Sequence, residues 1–379
     1  MSHIFLDHNS TTPIKPLVKE TMFEVMDTPL NASSIHYYGR KSKEIINLSR
    51  KKILNAVNAK NAEIIFTSSG TEANNLAIKG MHDVDFIAVS AVEHISVLKS
   101  ASSTDKVIIE IPVDRNGIVD IEFIKRIAEE HKKRILFSIM LANNETGVIQ
   151  HIKAISEIVR EYGGYMHCDA VQALGKIDVD FTALDVDLLS LSSHKVGGPQ
   201  GVGALVIKET ISLKPMIDGG AQENNNRAGT ENIPAILGFG MAIDLLSKEV
   251  SNDLINYTEN SIYDYVDDKT DIEIFGRDVS RVYNTTFVAM KGMDSQTQVI
   301  NFDLAGIAVS NGSACSSGTV KNSHVLKAMS INDEIASCAV RVSIGEETTK
   351  SDMDRFLEVW KNNYEKVKNR NNICERKNA

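Results

Sequence analysis

The chain contains a lysine at a position where an amine could act as a nucleophile. Lys195 follows the apolar run 187–192 and precedes a glycine-rich loop and a second apolar run, 203–207. An amine at the end of a buried strand is costly unless it is paired or used chemically. Desolvation lowers the pKa of a lysine, and a neutral amine attacks carbonyl compounds. Lys195 is therefore a candidate for covalent attachment of a carbonyl ligand, with an ordinary surface lysine as the alternative.

A second strand end offers a site for a phosphate group. The apolar run that ends at Phe66 is followed by Ser69, Gly70 and Thr71, at the start of a predicted helix. Free backbone N–H groups and small side chains at a helix N-terminus suit a phosphate. The alternative is a capped helix start without a ligand.

Polar residues end three further apolar runs. His167 and Asp169 share one face of the run 165–171, because side chains alternate along a strand. The carboxylate of Asp169 could hold a pyridinium nitrogen or a metal ion, or could cap a helix. His94 and Asn144 follow two other runs, where plain loop residues are the alternative. Together, a lysine, a carboxylate, a phosphate-binding turn and polar amides match what pyridoxal phosphate requires.

One of the four cysteines has surroundings suited to reaction. Cys315 lies in the segment 310–319, which is too rich in glycine and serine for a regular element and suits an exposed loop. A reactive thiol must be accessible and able to form a thiolate, so we expect Cys315 to be the reactive one rather than a buried structural cysteine. The four cysteines lie far apart with no C-x-x-C motif, which favours a reducing compartment, with the cytoplasm as the expected location. The other three are Cys168, Cys338 and Cys374.

The elements that must position these residues alternate between helical and strand periods. Residues 39–57 have the pattern of an amphipathic helix, and Asp120 is predicted to cap a helix over 121–131. This alternation predicts an α/β fold with a large, doubly wound, mostly parallel sheet, followed by a smaller α+β unit. We expect a large domain over 16–250. The expected small domain combines 1–15 with 251–379 and carries the Cys315 loop. Predicted strands include 85–90, 106–113, 134–141 and 165–171.

Composition narrows the function classes. The chain has 379 residues, of which 42% are hydrophobic and 24% charged, as in ordinary globular enzymes. A formal charge of −9 argues against a general nucleic-acid binder. The N-terminus lacks the pattern of a signal or transit peptide, and no apolar run is long enough to span a membrane. We therefore expect neither direct nucleic-acid binding nor a membrane association.

Motifs along almost the whole chain resemble those of the pyridoxal-phosphate-dependent cysteine desulfurases of the NifS/IscS type, in the class V aminotransferase group. Each motif is weak alone, whereas ten in the family's order are specific. The resemblance implies the aminotransferase-like fold of type I, with pyridoxal 5′-phosphate as cofactor and no metal. The motifs lie at 6–12, 31–36, 67–75, 93–94, 143–147, 167–172, 192–195, 227–232, 312–318 and 341–345.

The resemblance also implies roles at the cofactor. Lys195 would bind the cofactor covalently and then move protons, and Asp169 would pair with the pyridine nitrogen. His94 would stack on the ring and could shuttle protons. Gln172 would bind the phenolic oxygen. The phosphate would be bound by Gly70, Thr71, Ser192 and His194, with Thr230 reaching in from the second subunit of a homodimer.

The implied reaction takes sulfur from L-cysteine. Arg341 would clamp the substrate carboxylate, and Asn144 would bind the phenolic oxygen or the substrate. Cys315 would attack the substrate sulfur, leaving a persulfide and releasing alanine. The sulfur would pass to a scaffold or sulfur-carrier protein for iron–sulfur cluster assembly or RNA thiolation. Two alternatives are a selenocysteine lyase, or another class V lyase, and a non-catalytic sulfur-transfer scaffold.

The sequence departs from the family pattern at three places. Asn224 and Asn225 stand where an arginine and a glycine are usual, and asparagine is the residue best able to replace glycine at positive φ. Without the contacts that the usual arginine makes, the chain could bind the phosphate or its partner subunit less tightly. The other two departures lie at 31–32 and at 321–322. We expect them to alter loop stiffness and partner binding rather than the chemistry.

Overall fold

The structure, a computed structural model, describes residues 3–246, 253–312 and 323–378. Within these ranges the chain forms twelve strands and thirteen α-helices. The strands are β1 Ile4–Phe5, β2 Ala62–Thr67, β3 Phe86–Ser90, β4 Val107–Ile111, β5 Ile135–Ser138, β6 Tyr165–Asp169, β7 Leu188–Ser192, β8 Gly203–Lys208, β9 Ile272–Ile274, β10 Thr285–Met290, β11 Ile307–Ala308 and β12 Ala339–Ser343. The helices are α1 Pro16–Met26, α2 Tyr37–Ala56, α3 Gly70–Gly80, α4 Ile95–Ser102, α5 Ile121–His131, α6 Ile152–Glu161, α7 Phe181–Leu184, α8 Ile233–Asp244, α9 Asp253–Tyr265, α10 Ser295–Leu304, α11 His324–Ala328, α12 Asp333–Ala336 and α13 Lys350–Asn378.

The large sheet of the described chain has seven strands in the order β2-β8-β7-β6-β5-β3-β4. The pairs β4–β3, β3–β5, β5–β6 and β6–β7 are parallel. Strand β8 runs antiparallel to both of its neighbours, β7 and β2. The predicted α/β fold with a mostly parallel sheet is therefore confirmed.

Helices cover both faces of this sheet because its strands are apolar on both sides. Along β5, Ile135 and Phe137 belong to one buried cluster and Leu136 to another. The first cluster includes residues of α1, α2, α5, α6 and α8, and the second includes residues of α3 and α4. Alternation along the strand sends successive side chains to opposite faces, which is the physical basis of the doubly wound arrangement.

Local signals set the ends of several elements. Asp120 caps α5 by accepting a hydrogen bond from the N–H of Phe123 at 3.0 Å, as predicted. Strand β6 is shorter than the predicted run 165–171. It ends at Asp169, because the side chain of Asp169 accepts a hydrogen bond from the N–H of Val171 at 2.9 Å and turns the backbone away.

A second hydrophobic core lies around the smaller sheets. Strands β9, β10 and β12 form an antiparallel sheet, and β1 pairs in parallel with β11. Leu6, Phe302 and Trp360 are buried in the core beside these strands. The chain then leaves this core and crosses to the large sheet, where the N–H of Thr12 donates to the carbonyl of His194 at 2.9 Å. The N-terminal segment thus connects the two cores, while the division into domains stays a prediction.

No helix in the described part of the chain is both long enough and apolar enough to cross a membrane.

Candidate active site

The predicted site residues lie at one edge of the large sheet, where its parallel strands end. Strand β6 ends at Asp169, β7 ends three residues before Lys195, and β3 is followed by His94. Strand β5 leads into the loop that contains Asn144. Because β3, β5, β6 and β7 are parallel neighbours, their carboxyl ends share this edge.

Lys195 completes a single turn of 3₁₀-helix, Ser193–Lys195, directly after β7. Its Nζ donates hydrogen bonds to the backbone carbonyls of Asn9 at 2.6 Å and Ser10 at 2.7 Å. The N-terminal segment therefore lies directly against the amine that the sequence identifies as the candidate nucleophile.

Asp169 is buried and held by two donors. Its Oδ2 accepts from Asn74 Nδ2 at 2.7 Å, and its Oδ1 accepts from the N–H of Val171 at 2.9 Å. A carboxylate has about four lone-pair sites, so these two donors leave it able to accept a third, such as a pyridinium N–H. Within the described ranges, no group of three or more His, Cys, Asp and Glu side chains could hold a metal ion.

His94 is joined to Asp169 by a chain of hydrogen bonds. Asn74 Nδ2 also donates to Ser96 Oγ at 2.9 Å, and Ser96 Oγ lies 2.7 Å from His94 Nδ1. The N–H of Ser96 donates to the same His94 nitrogen at 3.2 Å. Nδ1 is therefore an acceptor, which places the proton of a neutral imidazole on Nε2. Burial lowers the pKa of His94, and the charges of Lys195 and His324 add to this effect while Asp169 opposes it.

His167 has a structural role instead. It is fully buried, with Nδ1 at 2.8 Å from Ser138 Oγ and Nε2 at 2.9 Å from Ser190 Oγ. Burial lowers its pKa to about 3. The ring fixes β6 between β5 and β7, and so supports the position of Asp169.

The start of α3 and the end of β7 form a small polar cradle. Ser69 caps α3, and a Cβ on Gly70 would lie 2.8 Å from Val171 Cγ2 and 3.3 Å from Ser192 Cβ. Among the described residues, the buried Oγ of Ser192 has no hydrogen-bond partner. Free helix N–H groups beside an unpaired hydroxyl fit a phosphate. Thr71, the second residue of α3, is exposed at this cradle.

His194 and Gln172 lie on either side of the N-terminal segment. His194 Nδ1 is 3.1 Å from Thr11 Oγ1, and burial together with the charge of Lys195 lowers the pKa of His194 to about 4. Gln172 Nε2 donates to the carbonyl of Asn9 at 2.8 Å, the same carbonyl that accepts from Lys195.

Arg341 reaches the site from the middle of β12, in the smaller sheet. Its Nη2 is 2.6 Å from Asp7 Oδ1, and its Nη1 donates to the carbonyl of Asn144 at 2.9 Å. The buried Nε of Arg341 and Oδ1 of Asn144 find no partner in the described part of the chain. Unpaired buried polar atoms are costly, and this donor and acceptor fit the carboxylate and amino groups of an amino acid.

Cys315 lies outside the described residues. The described residues on either side of segment 313–322 both approach Glu145, the neighbour of Asn144. Ser323 Oγ donates to Glu145 Oε2, and a Cβ on Gly312 would lie 3.1 Å from the same oxygen. The buried thiols of Cys168 and Cys338 are both free, and burial raises the pKa of Cys168 well above its usual value. These buried surroundings agree with inert roles in the core for Cys168 and Cys338.

Thr230 is exposed, and no hydrogen bond in the described part of the chain joins it to these site residues. It lines a cavity of about 220 Å³ together with Thr67, Ser68 and Arg227. The nearby Asn224 and Asn225 have φ values of 55° and 67°. Asparagine therefore occupies the left-handed conformation at the position where the family usually has glycine, as expected from the sequence.

Three buried residues at the site did not follow from the sequence reasoning: Asn9, Asn74 and Lys176. Lys176 Nζ donates to Gln172 Oε1 at 2.6 Å and to Asn9 Oδ1 at 2.8 Å. A lysine inside the largely apolar stretch 170–179 is a signal that could have identified it, by the same reasoning that applies to Lys195. Asn9 and Asn74 lie within the family motifs 6–12 and 67–75, but nothing local indicates their roles, because their contacts are with residues far away in the sequence.

Comparisons with known proteins agree with these features. The family model described as Aminotransferase class-V matches residues 4–356. Cysteine desulfurase IscS of Dictyoglomus turgidum is 41% identical over 379 residues, which covers 96% of this chain and 95% of the relative. Cysteine desulfurase IscS of Methanosarcina thermophila is 38% identical and covers 97% and 93%.

Two solved structures extend the similarity to the fold. A NifS-like protein from Rickettsia africae is 37% identical, with a TM-score of 0.88 over 96% of this chain and 99% of that one. SspA in complex with cysteine is 28% identical, with a TM-score of 0.79 over 90% and 98%.

Proposed function

Since this chain belongs to the class V aminotransferase family and is a pyridoxal-phosphate-dependent cysteine desulfurase, we propose that the residues at the carboxyl edge of its large sheet perform the desulfurase reaction. The observation that carries the proposal is that Lys195 and Arg341 both contact the N-terminal segment, while Asp169 ends the strand paired with the one that leads to Lys195. Buried polar atoms of Ser192, Asn144 and Arg341 have no partner among the described residues. Of the expected functions, cysteine desulfurase is favoured over a selenocysteine lyase and over a non-catalytic scaffold, because the relatives carry that name.

The residues at this edge fit pyridoxal phosphate. When bound, this cofactor withdraws electrons from the substrate Cα and so allows bonds around it to break. Lys195 would hold it covalently, and Asp169 would keep its ring nitrogen protonated. The remaining contacts would come from Gly70, Thr71, Ser192 and His194 at the phosphate, Gln172 and Asn144 at the phenolic oxygen and His94 at the ring.

The chain's own groups then bind the substrate and move its protons. Arg341 would bind the carboxylate of L-cysteine through its unpaired Nε, while Asp7 and the Asn144 carbonyl keep the guanidinium in place. The neutral imidazole of His94 carries its proton on Nε2, where it can be donated, because Ser96 occupies Nδ1. The Lys195 amine would take and return the proton at the substrate Cα.

Cys315 would accept the sulfur. Its thiolate attacks the sulfur of L-cysteine, a sulfur–sulfur bond forms, and the Cβ–S bond breaks with its electron pair going to the carbon side. Protons added at Cβ and Cα complete L-alanine, so that L-cysteine and the Cys315 thiol become L-alanine and a persulfide without an external oxidant. The described residues that flank the Cys315 segment lie near Glu145, beside Asn144: Ser323 Oγ donates to Glu145 Oε2, and a Cβ on Gly312 would lie 3.1 Å from that oxygen.

Purified protein loaded with pyridoxal phosphate tests this proposal. We expect the wild type to make alanine from L-cysteine and a persulfide on the Cys315 peptide, measured by amino-acid analysis and mass spectrometry. Cys315→Ser should form neither product while keeping the visible absorbance of the cofactor, and Lys195→Ala should lose that absorbance. Cys338→Ala is the matched control, because Cys338 is a buried thiol whose Sγ contacts the carbonyl of Glu334. Persulfide or alanine at the wild-type rate in Cys315→Ser would contradict the proposed role.

We also propose that the protein is a homodimer in which Thr230 reaches the phosphate in the partner subunit. Several apolar side chains are exposed on α1, on α2 and on the loop between them. Exposed apolar side chains in one region of the chain favour a protein contact. They are Leu17, Phe23, Met26, Ile35, Tyr37 and Leu48.

Co-expression of two inactive variants tests the exchange of Thr230. In a dimer of Lys195→Ala with Thr230→Val subunits, one of the two sites has both wild-type residues if Thr230 acts across the interface. Random pairing should therefore restore about a quarter of the wild-type activity. Activity no higher than that of either variant alone would place Thr230 in its own subunit's site or outside the reaction.

Cysteine desulfurases of the IscS type pass sulfur to acceptors. For this chain we propose an acceptor protein, either a scaffold for iron–sulfur clusters or a sulfur carrier for RNA thiolation. The cytoplasmic location stays a prediction.

A further inference from the structure

Lys176 is a buried lysine that the reaction described above does not use. Only 6% of its surface is exposed. Its Nζ donates to Gln172 Oε1 at 2.6 Å and to Asn9 Oδ1 at 2.8 Å. No salt bridge to Lys176 forms within the described ranges, so its acceptors there are two neutral amide oxygens. An amine buried in this way needs a reason beyond packing, because removing it from water is costly.

Lys176 and the Asn9 carbonyl together determine which way the Gln172 amide faces. The oxygen and nitrogen ends of an amide have similar shapes, and hydrogen-bond partners decide their orientation. The Asn9 carbonyl can only accept, so the N–H₂ group of Gln172 faces it in the site, and the oxygen of Gln172 faces the N–H donors of Lys176. There Nε2 donates to the carbonyl of Asn9 at 2.8 Å.

The same lysine orients Asn9. Oδ1 of Asn9 accepts from Lys176 and from Asn284 Nδ2 at 3.2 Å, so Nδ2 of Asn9 faces Thr285 Oγ1, at 2.9 Å, and the Asn144 carbonyl. The backbone of Asn9 is thereby held at the point where its carbonyl accepts from both Gln172 and Lys195.

We infer that Lys176 is a positioning residue, which makes Gln172 a hydrogen-bond donor toward the phenolic oxygen of the cofactor and fixes the Asn9 carbonyl beside Lys195. This inference rests on the proposed function, because Gln172 is assigned to the phenolic oxygen there. If Lys176 were absent, only the Asn9 carbonyl would still favour this orientation, and rotation of the Gln172 amide would present its oxygen to the phenolic oxygen, where two acceptors repel each other.

The surroundings of Lys176 oppose a positive charge on its amine. Burial lowers the pKa of Lys176 well below its usual value, and the positive charges of Lys195 and Arg341 lower it further. In either protonation state Nζ has at least two N–H groups, enough for the two acceptors that the described chain offers to Lys176.

The test uses the absorbance of the bound cofactor in the absence of substrate. A donor to the phenolic oxygen stabilises its negative charge, and without that donor the visible absorbance should titrate at a higher pH. Hydrogen bonds to charged groups are strong enough to move such a midpoint by about one pH unit. We therefore expect Lys176→Met, which keeps the chain length and removes the donor, to raise the midpoint by about one unit.

Three variants distinguish a positioning role from a structural one. Gln172→Ala should raise the midpoint similarly, and Lys176→Met should add little in the Gln172→Ala background, because both changes remove the same donor. Lys176→Gln restores a side-chain donor and should bring the midpoint back toward the wild type. Lys106→Met is the matched control, since Lys106 is a partly buried lysine, whose amine donates to the backbone carbonyl of Val84 at the opposite edge of the sheet.

A wild-type midpoint in Lys176→Met, or fully additive shifts in the double variant, would overturn the inference. If Lys176→Met does not fold, Lys176→Gln decides: a midpoint displaced as far as in Gln172→Ala would contradict the need for a donor at 176. If no Gln172 or Lys176 variant moves the midpoint while Cys315→Ser still blocks persulfide formation, the inference fails and the desulfurase mechanism stands. A wild type that makes no persulfide would instead refute the mechanism.

Discussion

Replacing Arg341 by lysine should weaken the binding of L-cysteine far more than it slows the chemical steps. Arg341 is buried, with Nη2 at 2.6 Å from Asp7, Nη1 at 2.9 Å from the Asn144 carbonyl, and an unpaired Nε. A lysine at this position keeps the charge but has a single nitrogen, which cannot serve Asp7, the Asn144 carbonyl and both substrate carboxylate oxygens.

The structure sets the size of the effect. Loss of one charge-assisted hydrogen bond costs about 1.5–3 kcal/mol, which corresponds to a KM for L-cysteine raised roughly 10- to 150-fold. The carboxylate takes no part in bond breaking, so it is bound equally before and during the reaction, and kcat should change only a few-fold.

Steady-state alanine formation at varied L-cysteine gives KM and kcat separately. Arg281→Lys is the matched control, because Arg281 is a partly buried arginine paired with buried Glu259 at 2.9 Å and has no assigned role at the site. It should lose comparable stability without a change in KM. A KM for Arg341→Lys within two-fold of the wild type, or an equal rise in Arg281→Lys, would refute the assignment of Arg341 as the carboxylate clamp.

Two further predictions concern stability. His167 has a pKa of about 3 in the fold against 6.5 when exposed, so the unfolded chain binds an extra proton between these values and stability falls as the pH drops through this window. Urea unfolding should show His167→Gln losing about 2 kcal/mol less than the wild type between pH 6.5 and about pH 4.5, and parallel curves would contradict this. Asn225 has φ of 67°, so Asn225→Val should lower the free energy of unfolding by about 1–2 kcal/mol while Asn225→Gly leaves it nearly unchanged. Equal melting temperatures for the two Asn225 variants would refute the strain argument.

Much of the fold and part of the site followed from local sequence patterns. The apolar run before Lys195 and the run that ends at Asp169 form neighbouring parallel strands, and such strands end at a common edge. Asp120 caps its predicted helix because capping depends on residues within one turn. Asn225 adopts positive φ because that preference belongs to the residue itself. In each case the physical cause acts over a few residues or one strand.

The roles of Asn9, Asn74 and Lys176 were decided only by the tertiary structure. Asn9 lies near the N-terminus, yet its N–H donates to Ser343 Oγ and its carbonyl accepts from Lys195. No local pattern encodes these contacts, because they exist only after the N-terminal segment crosses from the smaller sheet to the large one. The sequence alone determined which side chains could do the chemistry, through strand ends and family motifs. The packing of segments distant in the sequence decided how those side chains are oriented, since a buried amide or amine takes its direction from whichever partners the fold places beside it.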